Sequence, residues 1–286
     1  MSKVRIVTDS TADIPAEVRE ELGITMISLK VLFGEETYRD AVDLTPEEFY
    51  SRLKASTALP KTSQPSPAEF LEVYEQLLAE DPTAPIISVH LASVLSGTYQ
   101  SATIAKSMVE VEGADITVVD SCSASYGHGA QVVLAAQMAQ SGASVDEIVA
   151  AMKQCQNDNT GVYFLVDTLD YLQKGGRIGK ASAMIGSLLN IKPILSLEPN
   201  GTVTAVDKAR GTKKAMSKIV ELLKQSYGND ELILVVAKTD DDTTPNELEQ
   251  RVTAELNIKE VRYTTVGSVI GTYTGPGTSA VFLFKV

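Results

Sequence analysis

The sequence holds no tryptophan, and only two histidines and two cysteines among 286 residues. The cysteines, Cys122 and Cys155, show no CxxC spacing, which argues against a disulfide framework and against a thiolate zinc site. The histidines, His90 and His128, are too few for most histidine metal sites, and no HExxH occurs. Positive charge is also in deficit. Lys and Arg number 25 against 37 Asp and Glu, for a formal net charge of −12. A chain this acidic is a poor candidate for nucleic acid or an anionic membrane surface. No apolar run is long enough to span a bilayer. The first residues enter a short strand-like run without the apolar core of a signal peptide, so the expected compartment is the reducing cytoplasm. No GxGxxG fingerprint is present. Lys174 to Ala181 resembles a phosphate-binding Walker loop at a glance. Its first glycine stands one residue too close to Gly179-Lys180, and Ala181 replaces the hydroxyl that would bind magnesium.

What is present is ordinary for a globular chain, at 44% hydrophobic and 22% charged, with the length of two domains or one large one. Strand-like runs at Val4–Val7, Ile24–Leu32, Ile86–Leu91 and Ile116–Val119 alternate with helical spacing through the first half. Helix starts are legible as capping boxes at Thr45-Pro46-Glu47-Glu48, Ser66-Pro67-Ala68-Glu69 and Ser144-Val145-Asp146-Glu147. Pro60 to Pro65 reads as a loop. The alternation predicts a parallel α/β sheet, whose ligands bind at the carboxyl ends of the strands. A boundary is expected near residues 157–161, dividing a domain of residues 1–158 from one of residues 159–286. In the second part, Ala181 to Asn190 reads as a helix. Asn200-Gly201 signals a hairpin, Thr212–Tyr227 and Pro245–Leu256 read as helices, and Gly267 to Thr278 reads as a close-approach loop. Hairpins mixed with helices predict an α+β domain.

The chain appears organised around Ser93-Val94-Leu95-Ser96-Gly97-Thr98, a hydroxyl-rich turn between a buried strand and a helix. Two readings of this turn stand open. A serine there commonly caps its helix. The start of a helix also offers unpaired N–H groups and the positive end of the dipole, which suit an anion. Thr8 to Thr11 and Asp120 to Ser123 are further polar strand ends, together suiting a polar crevice. A serine hydrolase would need Ser96 as nucleophile, a histidine as base and an acid such as Asp120, and no GxSxG elbow is present. His90 reads as a structural histidine within an apolar strand, and His128 as a capping or packing residue. Ile178, Met184, Ile185, Leu188, Leu189, Ile191, Ile194 and Leu195 cluster in a short span and suit either a core or the wall of an apolar cleft.

Five segments, in order along nearly the whole chain, resemble the motifs of one known family. They are Thr8-Asp9-Ser10-Thr11-Ala12-Asp13, Thr62-Ser63-Gln64-Pro65-Ser66, Leu95-Ser96-Gly97-Thr98-Tyr99-Gln100-Ser101-Ala102, Leu172-Gln173-Lys174-Gly175-Gly176-Arg177-Ile178 and Gly275-Pro276-Gly277. The family they resemble is the DegV family. The resemblance implies a protein that holds one long-chain fatty acid, such as palmitate, between an N-terminal α/β domain and a C-terminal α+β domain, with no cofactor and no metal. Several members are the acyl-binding subunits of bacterial fatty acid kinase and present the carboxylate to a separate ATP-using subunit. Thr62 and Ser96 are implied carboxylate ligands, with Ser63, Ser93 and Gly97 beside them. Arg177 is implied to face the kinase partner. Ile178, Met184, Ile185, Leu188 and Ile194 are the expected acyl-chain wall. Many members carry histidine where Tyr273 stands, in an H-x-G-P-G pattern; a phenol supplies one neutral donor there. The expected protein is therefore a carrier or substrate-presenting subunit without catalysis of its own. The alternatives are an acyl hydrolase using Ser96 and a lipid sensor without a kinase partner.

Overall fold

A computed structural model describes residues 3–157, 161–186 and 190–286. In chain order the elements open with β1 (Arg5–Asp9), α1 (Ala16–Leu22), β2 (Thr25–Ile27), β3 (Lys30–Phe33), β4 (Glu36–Arg39), α2 (Pro46–Ala55), β5 (Lys61–Ser63) and α3 (Pro67–Glu80). They continue with β6 (Ile86–His90), α4 (Thr98–Met108), β7 (Ile116–Asp120), α5 (Tyr126–Gln140) and α6 (Val145–Asn157). The remainder is β8 (Gly161–Leu165), α7 (Asp170–Lys174), β9 (Ile191–Leu197), β10 (Val203–Arg210), α8 (Thr212–Tyr227), β11 (Leu232–Lys238), α9 (Thr243–Glu255), β12 (Ile258–Thr265), α10 (Ser268–Thr274) and β13 (Ser279–Lys285). The chain divides into two compact units: Met1–Asp43, Thr62–Asn159 and Pro199–Gly201 in one; Leu44–Lys61, Thr160–Glu198 and Thr202–Val286 in the other.

The first unit is built on a parallel sheet in the order β2-β1-β6-β7. All five residues of β6 are buried, because helices cover both of its faces. Side chains alternate along a strand. Ile86 accordingly packs with Phe70 and Tyr74 of α3 and Ala102 of α4, while Ile87 and Val89 pack with Val132 and Ala136 of α5 and Ile148 and Met152 of α6. Each such fully buried aliphatic side chain is favourable by about 1.5–3 kcal/mol. Helix starts follow the sequence signals. Thr45 and Ser66 each form a complete capping box ahead of a proline. Ser144 and Glu147 exchange the same pair of backbone bonds, at 2.8 and 3.4 Å. A second small sheet has the order β4-β3-β5.

The second unit holds a mixed sheet in the order β10-β9-β8-β13-β11-β12, with β11 and β12 parallel and the other pairs antiparallel. Ile219 and Leu223 of α8 and Leu248 and Val252 of α9 close its core against Leu234, Val281 and Ile194. The hairpin expected at Asn200-Gly201 joins β9 to β10, with Gly201 at φ +87° and the Glu198 N–H donating to the Thr202 carbonyl at 2.9 Å. Helix α2 belongs to this unit. Phe49 and Tyr50 are buried against α10, where a Cβ on Gly271 would lie 2.5 Å from the Tyr50 hydroxyl oxygen. The same hydroxyl donates to the Val266 carbonyl at 3.0 Å.

Several expectations need correction. The run Ile24–Leu32 is two strands in two sheets, because the chain leaves β2 at Ser28 and starts β3 two residues later. Part of the Pro60–Pro65 loop is β5. Ala181 to Asn190 is not an α-helix in its described part: Gly179–Met184 is a 3-10 helix. Leu188 and Leu189 lie outside the described residues. The stretch taken for a loop after Gly267 contains α10. Helix α2, which lies in the N-terminal half of the sequence, packs with the second unit.

Candidate functional site

Strand β6 ends at the level of the polar ends of its neighbours, since Val89 pairs with Thr8 and His90 with Asp120. The chain then turns through Leu91–Gly97 into α4. Gly97 stands at the N-cap of α4, and no side-chain hydrogen bond caps that helix. Ser96 is half-buried. Its Oγ lies 2.9 Å from Thr98 Oγ1 and 3.4 Å from the Thr98 nitrogen, and its own N–H donates to the Ala92 carbonyl at 3.3 Å. Of the two readings of this turn, ordinary capping by Ser96 is thus weakly made. The first turn of α4 presents N–H groups and the positive end of its dipole, a setting that suits an anion.

The Thr62–Ser66 segment is brought to this turn. The Gln64 amide lies over Gly97, where a Cβ would sit 2.5 Å from its Nε2, and that Nε2 donates to Ser101 Oγ at 3.3 Å. A side chain at residue 97 would displace the Gln64 amide, the far end of a flexible side chain; at φ −76° Gly97 is not needed for backbone freedom. Thr62 is half-buried, while Ser63 and Ser93 are exposed. Thr62, Ser63, Ser93, Ser96 and Gly97 all lie on the first unit, around strand ends β5 and β6. Sequence reasoning quoted Gln64 within its motif without giving it a part. A long amide two residues after Thr62, paired with a glycine at the turn, was the available signal.

Both histidines sit behind the turn and are fully buried. His90 Nδ1 lies 3.0 Å from Asp9 Oδ2 and its Nε2 2.7 Å from Ser88 Oγ, to which the Tyr74 hydroxyl donates at 2.8 Å. His128 Nε2 lies 3.1 Å from both Thr8 Oγ1 and the Val89 carbonyl. Burial alone would raise the Asp9 pKa, but the charges and hydrogen bonds of His128, His90 and Thr11 hold it down to about 2. Burial pushes the His128 pKa down, with Asp9 opposing. The connectivity Ser88–His90–Asp9 is that of a hydrolytic triad. Its serine is Ser88, not Ser96, and Ser88, His90 and Asp9 are each 0% exposed. Neither histidine is a hydrogen-bond partner of Ser96.

On the second unit, the Gly175–Arg177 corner and α10 pack together. The Arg177 guanidinium carbon stands 4.8 Å from the centroid of the Tyr273 ring, and its Nη1 donates to the Gly175 carbonyl at 2.9 Å. The glycines are there for contact: a Cβ on Gly175 would meet the Tyr273 ring at 2.3 Å, and one on Gly275 the Tyr171 ring at 2.4 Å. Arg177 and Tyr273, given separate parts from sequence, thus touch each other. Asp240 holds the adjacent Gly275-Pro276-Gly277 turn by accepting from the Gly277 N–H at 2.9 Å, and it pairs with Lys54 of α2. Ile178 and Met184 are half-buried, and Ile185 is 45% exposed. Ile194 is fully buried in the core beneath α8. Among the described residues no cluster of three or more His, Cys, Asp or Glu could hold a metal ion, and no helix is long and apolar enough to cross a membrane.

The class of protein is set by this architecture: a parallel α/β unit with hydroxyl-lined strand ends, and a second unit on a mixed sheet. The family model described as "Uncharacterised protein, DegV family" matches residues 3–286, and the chain belongs to the DegV family. A DegV domain-containing protein of Caldanaerobacter subterraneus is 39% identical over 99% of each chain. Among solved structures, a DegV family protein from Thermus thermophilus, described by its fatty acid binding, has a TM-score of 0.92 at 36% identity, covering 99% of this chain and 100% of that one. DegV of Bacillus subtilis, described as a fatty acid binding protein, has a TM-score of 0.87 at 34% identity over 100% of both chains.

Proposed function

We propose that this protein binds a long-chain fatty acid. Thr62 and Ser96 are the carboxylate ligands, and Ser63, Ser93 and Gly97 lie in the same shell. The observation that carries the reading is the turn into α4: a helix start with no side-chain cap, beside two hydroxyls, closed over by Gln64. The relatives described as fatty acid binding support it over the whole length of the chain. Burying an alkyl chain is favourable by about 0.8 kcal/mol per methylene, so a palmitate-sized tail contributes roughly 10 kcal/mol. Association costs of about 4–15 kcal/mol offset much of that. An unpaired carboxylate would lose the remainder, and charge-assisted bonds of about 1.5–3 kcal/mol each compensate. Ile178, Met184, Ile185, Leu188 and Ile194 are the acyl-chain contacts of this reading. Tyr273 offers one further neutral donor.

The finer form of the proposal is that the loaded protein presents its acid to a separate fatty acid kinase for acyl-phosphate formation. It needs no metal or cofactor on this chain. Titration with palmitate tests the head group: Ser96→Ala and Thr62→Ala should each weaken binding about tenfold or more, as the loss of one charge-assisted bond requires. Unchanged affinity in both removes the assignment. Incubating the palmitate-loaded protein with ATP and a fatty acid kinase subunit tests presentation. Absence of acyl-phosphate leaves a carrier or sensor.

A further inference from the structure

The approach to the head-group turn is held by three successive amides. The Leu91 N–H donates to Asp9 Oδ2 at 3.1 Å, and the Ala92 N–H to the Ser123 carbonyl at 2.8 Å. The Ser93 N–H reaches both oxygens of Asp120, at 3.3 and 3.2 Å. Asp9 is the last residue of β1 and Asp120 the last of β7, the strands on either side of β6. Each carboxylate also fixes its own turn. Asp9 Oδ1 accepts from the Thr11 N–H at 3.0 Å and from the Thr11 hydroxyl at 2.5 Å. Asp120 Oδ1 accepts from the Cys122 N–H at 2.8 Å, at a residue held at φ +52°. The carboxylates therefore tie three strand ends into one frame.

We propose that Asp9 and Asp120 are positioning residues for the head group: they set the path of Leu91–Gly97 and so place Ser96 and the start of α4. The proposal rests on the carboxylate reading of Ser96 given above. Two physical points carry it. Amides 91–93, 95 and 96 are all engaged, which directs an anion at this turn toward donors at Gly97 and the first turn of α4. Carboxylates beside an anion site repel the ligand, a cost that a merely convenient turn residue would avoid. The turn keeps Asp120 because one acceptor oxygen at this reach, Oδ1, takes the N–H groups of both Ser93 and Cys122.

The experiment compares Asp120→Ala, Asp120→Asn and Asp120→Glu by palmitate titration, with amide hydrogen exchange over residues 91–93. Asp120→Asn keeps a side-chain oxygen at the same reach, and Asp120→Glu keeps the charge but displaces it. Positioning predicts a palmitate Kd raised about tenfold in the alanine and glutamate variants, faster exchange at Ser93, and a Kd within about threefold of the parent in the asparagine variant. It also predicts that adding Asp120→Ala to Ser96→Ala weakens binding by less than about threefold more, since both act on one contact. If Asp120→Ala unfolds, Asp120→Glu against Asp120→Asn still decides. Loss of affinity in Ser96→Ala with unchanged affinity in Asp120→Glu and Asp120→Ala overturns the positioning role alone. Unchanged affinity in Ser96→Ala and Thr62→Ala overturns the head-group reading and the positioning role with it.

Discussion

Tyr273 shows what a single residue exchange does to a local network. Where the resemblance led to a histidine, a phenol ring lies under the Arg177 guanidinium. A cation over an aromatic face is worth about 0.5–2 kcal/mol. Tyr273→Phe keeps that face and removes the hydroxyl; Tyr273→Ala removes both. If the hydroxyl touches the bound acid, Tyr273→Phe costs about 1 kcal/mol of palmitate affinity; if only the ring acts, the loss appears in Tyr273→Ala alone. Titration of the two variants separates these outcomes. The contact itself was not legible in the sequence, because Arg177 and Tyr273 are far apart along the chain and neither motif names the other. The pair Asp9 and His128 makes a second prediction, on pH. Asp9 has a folded pKa of about 2 against an ordinary 3.8, so its contribution is whole above pH 4 and is lost as pH falls through 2. With full burial this amounts to about 2 kcal/mol. His128 is pushed below its ordinary 6.5, so the unfolded chain takes up that proton first and stability already declines below about pH 6.5. Both effects share a sign. Urea unfolding at pH 7, 5 and 3 should show a steady fall in stability; a flat profile would remove the assignment.

At the scale of elements, local signals were read well where they are local. The capping boxes at Thr45 and Ser66 are made as written, and α8 and α9 run close to the stretches read as helices. Helix α10 was missed because Gly267, Gly271 and Gly275 at intervals of four resemble loop punctuation. The structure gives another reason for Gly271: Phe49 and Tyr50 occupy the space of its missing side chain. Gly271→Ala should accordingly destabilise by about 1–3 kcal/mol through overpacking, despite the better helix propensity of alanine. Thermal unfolding would register it, and a rise in Tm would contradict the packing argument. The split between β2 and β3 was illegible for a related reason. The apolar pattern runs on through Ser28, and sheet membership depends on partners elsewhere in the chain. The turn between β6 and α4 was legible as a place, through its hydroxyls between strand and helix. Its support by Gln64, Asp9 and Asp120 was not, since those bonds cross from one strand end to the next.

On the scale of the whole molecule, the sequence order and the spatial units disagree in two segments, residues 44–61 and residues 199–201. Residues 44–61 lie between parts of the first unit in sequence and pack with the second. A fragment of residues 161–286 would lack the helix that covers α10 through Phe49 and Tyr50 and that bonds Asp240 through Lys54. Such a fragment should show no cooperative calorimetric transition, whereas the same fragment with residues 44–61 joined to it should regain one. Equal transitions in both would mean that α2 is dispensable to its unit.

The placement of α2 also has a consequence in time. During synthesis from the N-terminus, α2 emerges roughly 200 residues before α10, which at about 5–20 residues per second is a wait of roughly 10 to 40 seconds. Until α10 emerges, Phe49 and Tyr50 lack the helix that Gly271 lets come close to them, although the strands and helices of the first unit are already assembling on either side of α2 in sequence. The nascent chain must therefore carry a sticky helix through the birth of one unit in order to complete the next. The proline at its first turn and the capping box at Thr45 favour the start of α2 in that interval, while a helix of ten residues gains most of its stability only when it packs.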